Sequence, residues 1–109
     1  MTSLKLANGE NINLTLNFYS LSLLKSKNRE QYNLYNTIFM KGANDLFAII
    51  RIIYTGYLCA NIDNSEKCYS YEEFLKLLPQ DQEEVLGIVE KLMKPKSSIK
   101  DKMSHNKRK

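Results

Sequence analysis

A chain of 109 residues, 43% hydrophobic and 26% charged, fits one globular domain with a modest core and leaves little room for two. Its formal charge of +4 is unevenly placed: Lys96, Lys100, Lys102, Lys107, Arg108 and Lys109 stand against Asp101 alone, so residues 95–109 carry +5 and residues 1–94 carry −1. Basicity therefore belongs to a tail, which argues against a basic binding face on the folded body.

The first element is the segment LKLANGENINLTL. Leu4 and Leu6 alternate with polar residues, and so do Ile12, Leu14 and Leu16. This period-two pattern predicts a β-hairpin over about residues 2–16, with Asn8-Gly9 as a two-residue turn. An isolated hairpin is unstable in water, so its leucine face must lie on helices.

Phe18, Leu21 and Leu24, then Tyr32, Tyr35 and Phe39, follow at helical spacings. The wholly polar residues 25–30 are either a break between two helices or an exposed turn of one. Gly42 is placed to stop the second part. Asn44 is the expected cap of the next helix, with Asp45 near its positive end. That helix, to about Asn61, is apolar on nearly every side. Gly56 within it costs about 1 kcal/mol against alanine, which suggests close packing. Residues 62–69 read as a loop.

Ser70-Tyr71-Glu72-Glu73 is a capping box, opening a short helix that buries Tyr71, Phe74, Leu75 and Leu78. Asp81 and Glu84 offer a second cap–glutamate pair, followed by an apolar face of Val85, Ile88, Val89 and Leu92 that ends near Lys94-Pro95. The remaining composition predicts a disordered tail. The fold expected is α+β, mainly α. An N-terminal hairpin packs on four to five helices within one domain, residues 1–94, and residues 95–109 form a basic flexible tail.

Reactive chemistry is sparse. One histidine, His105, lies in the tail, and the four glycines form no phosphate-binding loop. Cys59 and Cys68 make neither a C-x-x-C motif nor a metal spacing, so no metal and no cofactor are expected. Cys59 reads as a small buried hydrophobe. Glu72-Glu73 and Glu83-Glu84 fall in first helical turns, where carboxylates complement the helix dipole. No enzymatic activity is expected. No signal peptide is recognisable, and the longest apolar block, about residues 46–59, contains Arg51 and falls short of the roughly 20 residues that span a bilayer. An intracellular compartment is the default.

Arg51 has two readings: a stem packed on apolar neighbours with its head at water or an acid, or a marker of a partner surface. Tyr54 and Tyr57 are similarly core residues with hydroxyls at the rim, or contacts.

The order of these elements, with the segments LANGENINLTLNF, LFAIIRIIYTGYLCAN, SYEEFLKLLP and DQEEVLGIVEKLM, resembles the phage tail assembly chaperones of siphophages infecting Gram-positive bacteria. The resemblance covers about residues 4–94 and is carried by hydrophobic patterns, chiefly the run from Ile52 to Asn61. Arg51 and residues 25–32 have no counterpart in it. It implies a non-enzymatic chaperone of the host cytoplasm, absent from the mature virion. Such a chaperone binds and solubilises the tape measure protein during tail morphogenesis. Contacts with the tail tube protein and self-association into a homo-oligomer are further implications.

On this reading most of the long apolar helix is core, and Arg51, Tyr54, Tyr57 and Leu58 supply a client or self-association surface. The alternative is a small nucleic-acid-binding or regulatory protein using its basic tail. That tail lacks aromatic residues for base stacking, and the body lacks a basic stripe to extend it.

Overall fold

A computed structural model describes residues 2–93 of the chain. Two strands, β1 (Thr2–Lys5) and β2 (Asn11–Leu14), precede five α-helices: α1 (Phe18–Lys27), α2 (Arg29–Lys41), α3 (Leu46–Ala60), α4 (Tyr71–Leu77) and α5 (Gln82–Met93). A 3-10 helix, Ile62–Lys67, links α3 to α4 where the sequence predicts a loop. The fold is mainly helical with an N-terminal hairpin packed on the helices, as the pattern of the chain predicts. The expected tail, with Lys96, Lys100, Lys102, Lys107, Arg108 and Lys109, lies outside the described residues.

The hairpin pairs Thr2 with Leu14 and Leu4 with Ile12. Residues directly opposite in an antiparallel pair share a face. A two-residue turn at Asn8-Gly9 would set Leu4 against Asn13 and mix polar with apolar side chains. The turn instead has three residues, with the Leu6 amide donating to the Glu10 carbonyl (2.8 Å) and the Gly9 amide to the Leu6 carbonyl (2.9 Å). Gly9 takes the positive φ, 92°, that such a loop requires. Leu4, Leu6, Ile12 and Leu14 then all face the core and are buried.

Asn28 resolves the polar stretch as a break. Its amide donates to the Leu24 carbonyl and closes α1, and its side chain accepts from the Gln31 amide and opens α2. Its φ of −146° and ψ of 76° turn the chain back, so the two helices pack side by side. Gly42, at φ 92°, ends α2. The cap of α3 is Asp45 and not Asn44: Asp45 Oδ1 accepts from the Ala48 amide at 2.9 Å, the three-residue reach of a cap. The capping box of α4 forms, with Ser70 Oγ accepting from the Glu73 amide and Glu73 Oε1 from the Ser70 amide. At α5, Asp81 Oδ1 accepts from the Glu83 amide and its carbonyl from the Val85 amide.

Helix α3 is the axle. It touches β2, α1, α2, α4, α5 and the 3-10 helix. Every residue from 52 to 59 is buried, which is what a helix apolar on all sides demands. Gly56 sits at the closest crossing. A Cβ there would lie 3.0 Å from Leu92 Cδ2 and 3.4 Å from Leu14 Cβ, and its carbonyl accepts the Thr15 amide at 3.1 Å. The missing side chain lets strand β2 lie directly on the helix.

Candidate functional site

The residues expected to form a partner surface are placed otherwise. Tyr54, Tyr57 and Leu58 are 8%, 5% and 4% exposed. Tyr54 donates its hydroxyl proton to the Tyr69 carbonyl at 2.8 Å, and the Tyr57 hydroxyl accepts from the Tyr69 amide at 2.9 Å. Both rings lie against Phe74, their centroids 5.1 Å from its own. Burial pushes the Tyr54 and Tyr57 phenols above their ordinary range. These tyrosines fasten the segment before α4 onto α3, and no partner reaches them while the fold is closed. In an interior surrounded by six other elements, aromatic bulk is used as core.

Arg51 is half-buried and internally engaged. Its guanidinium donates to Gln31 Oε1 at 2.8 Å, and its carbon lies 3.6 Å from the Tyr71 ring centroid. Gln31 Nε2 in turn donates to Thr55 Oγ1 at 2.9 Å, and that hydroxyl donates to the Arg51 carbonyl at 2.8 Å. Gln31 and Thr55 are buried, so the network satisfies polar groups that would otherwise be costly. Arg51 joins α2, α3 and α4, and its place is structural.

The surface that stands out is elsewhere. Phe18 is 89% exposed, Tyr19 73%, Phe39 59% and Met40 71%. Because α1 and α2 run as a hairpin, the start of one adjoins the end of the other, and these side chains gather at one end. Between the two helices and the last turn of α5 lies a groove of about 570 Å³. Phe18 and Leu21 form one wall, Tyr32, Tyr35 and Phe39 the other, and Leu16, Leu92 and Met93 complete it. Tyr35 and Phe39 stack at 6.1 Å between centroids, which sets the second wall. Leu21, Leu24 and Tyr35 are buried beneath, so the helices are anchored independently of the exposed aromatics.

Two further hollows flank α5. One of about 560 Å³ carries Ile49, Leu86 and Val89 with Glu83 and Glu90 at its edge. The other, about 320 Å³, lies beside Phe47 and Pro79 with Asp81. Neither gathers aromatic side chains as the α1–α2 groove does.

Among the described residues, no three His, Cys, Asp or Glu side chains are grouped to hold a metal ion, and no helix is long and apolar enough to cross a membrane. The Cys59 thiol is buried and pushed up to about 12 by burial, far from the reactive thiolate form. The α1–α2 groove offers apolar contact and shape.

Sequence reasoning placed Phe18 and Phe39 on helical stripes but missed that they face outward. A signal was present: Phe18-Tyr19 and Phe39-Met40 are adjacent apolar pairs, and neighbours on a helix point about 100° apart. Such a pair leaves at least one member outward, and at these helix ends both members of each pair are exposed. Comparison with protein-family models, with curated proteins and with solved structures finds no match to this chain.

Proposed function

We propose that this protein is a non-enzymatic assembly chaperone that holds a long amphipathic helical client in its α1–α2–α5 groove. The client is a phage tape measure protein kept soluble in the bacterial cytoplasm during tail assembly. One observation carries the reading: a groove of about 570 Å³ walled by aromatic side chains, two of which, Phe18 and Phe39, are 89% and 59% exposed. Large exposed apolar surface is a cost to a free monomer and marks a binding site. Phe18 and Lys25 stand seven positions apart along α1, about 10 Å at 1.5 Å per residue, which is two helical turns. That length suits anchors at i, i+4 and i+7 of a docked helix. Many copies, each holding a short stretch weakly, gain avidity along a rod.

The resemblance of the chain's element order to phage tail assembly chaperones supports the same reading and supplies the identity of the client. On this reading the client meets the α1–α2 end of the molecule and not α3. Co-expression with a long tape-measure-like protein tests it. The client should stay soluble and co-purify at high salt with the wild-type chain, and should precipitate with Phe39→Asp. Equal rescue by both chains would remove the groove from the function.

A further inference from the structure

The groove has a sign as well as a shape. Helices α1 and α2, residues 18–41, hold Lys25, Lys27, Arg29 and Lys41 against Glu30, a net of +3. Residues 71–93, with α4 and α5, hold six acids against Lys76 and Lys91, a net of −4. The nearly neutral body is therefore polarised, which its total charge conceals. The grooves follow this division. Glu83 and Glu90 line the hollow beside α5, and Asp81 the one beside Phe47, whereas the α1–α2 groove has Lys25 as its charged lining residue and no acid. Lys25 stands at the end of the groove away from Phe18, its ammonium 5.6 Å from the Tyr32 ring centroid. Its stem and that ring make a wall that is apolar below and cationic at the top.

We infer that the occupant of this groove is an amphipathic helix with an acidic residue beside its apolar stripe, seated so that its carboxylate meets Lys25 while its aliphatic anchors fill the Phe18–Phe39 end. This deepens the chaperone reading and rests on it. An anchor at the aromatic end and an acid two turns away fix the direction of the docked helix as well as its register. Lysine beside the stripe would set like charges together at the rim, where they weaken binding and select against the wrong partner.

The test uses the full chain and three fluorescent synthetic helices with one apolar stripe, flanked by Glu, Gln or Lys. Anisotropy titrations at low salt should rank them Glu, Gln, Lys, with Glu over Lys by roughly fivefold, the gap shrinking as salt rises. Lys25→Glu should erase or invert the ranking, and Phe39→Asp should abolish binding of all three. The basic residues 95–109 remain in every variant, so a ranking that survives Lys25→Glu overturns the inference. Equal affinity for the three peptides, still lost in Phe39→Asp, overturns the charge inference and leaves the helix-binding reading standing. Binding of none overturns both, as does capture of the chain by phosphatidylserine vesicles in place of the peptides. Self-association that Phe39→Asp abolishes, with no peptide bound, would assign the groove to a second copy and overturn it too.

Discussion

The guanidinium of Arg51 stands over the Tyr71 ring, its central carbon 3.6 Å from the ring centroid, and donates to Gln31. A planar, weakly hydrated cation suits both contacts at once, and an ammonium does not. Removing it leaves the Gln31 carbonyl oxygen, in a buried side chain, without that donor. Arg51→Ala should cost about 2 kcal/mol, and Arg51→Lys should recover less than half of it. Urea unfolding followed by circular dichroism measures this as a lower midpoint at unchanged slope. Loss of client binding with unchanged stability would return Arg51 to the partner surface.

Tyr54 and Tyr57 should behave as fasteners. Tyr54→Phe removes the donor to the Tyr69 carbonyl, and Tyr57→Phe removes the acceptor of the Tyr69 amide. Each should cost about 1 kcal/mol. Hydrogen exchange should quicken first in the segment joining the 3-10 helix to α4. Tyr57→Asp places a charge in the core and should prevent folding. A folded, stable Tyr57→Asp chain would contradict the packing described.

Two helical glycines should respond in opposite directions. Around Gly87 nothing lies within 4 Å of an added Cβ, so Gly87→Ala should stabilise α5 by about 0.5–1 kcal/mol. At Gly56 the same methyl meets Leu92 and Leu14. The gain in helix propensity is offset by overpacking of about 1–3 kcal/mol, and Gly56→Ala should be destabilising. Thermal melts of the two variants side by side decide it.

The hairpin, the helices, the capping box at Ser70 and the need for Gly56 were legible because each rests on local chemistry or on spacing. The turn at Asn8-Gly9 is one residue longer than the dipeptide predicts. Dipeptide preference favoured a two-residue turn, whereas the pairing of Leu4 with Ile12 demanded three. The site was less legible. Composition alone marked Tyr54 and Tyr57 as interface-like, but burial depends on how many elements surround α3. Phe18 and Phe39 share a periodicity with core residues such as Leu21 and Tyr35 and differ from them only in lying at helix ends, a fact of tertiary placement.

Stability should decline in alkali. Burial raises the Cys59 thiol from 9.0 to about 12 and lifts the Tyr35, Tyr54, Tyr57 and Tyr71 phenols above 10.0. The folded chain thus keeps protons that the unfolded chain releases. This contribution is complete below about pH 9 and is lost progressively as pH rises through the folded values. Urea midpoints should be level from about pH 7 to 9 and fall beyond. A midpoint that rises between about pH 9 and 11 would contradict the burial of these groups. By the same burial, the native Cys59 should resist a thiol reagent that reacts with it promptly in urea.

Phe18 and Phe39 test the proposed client site most directly: both are exposed, and Phe39 meets the core through the Tyr35 ring. Phe18→Asp should leave stability within about 0.5 kcal/mol of wild type, whereas Phe39→Asp gives up the stack on Tyr35 and should cost about 1–2 kcal/mol while still folding. The decisive measurement is the amount of a co-expressed long amphipathic helical protein that co-purifies at high salt with these two variants and with wild type. Retention by wild type and loss by both variants, each still folded by its melting curve, is the predicted result. Retention by all three would contradict a client site in the α1–α2–α5 groove.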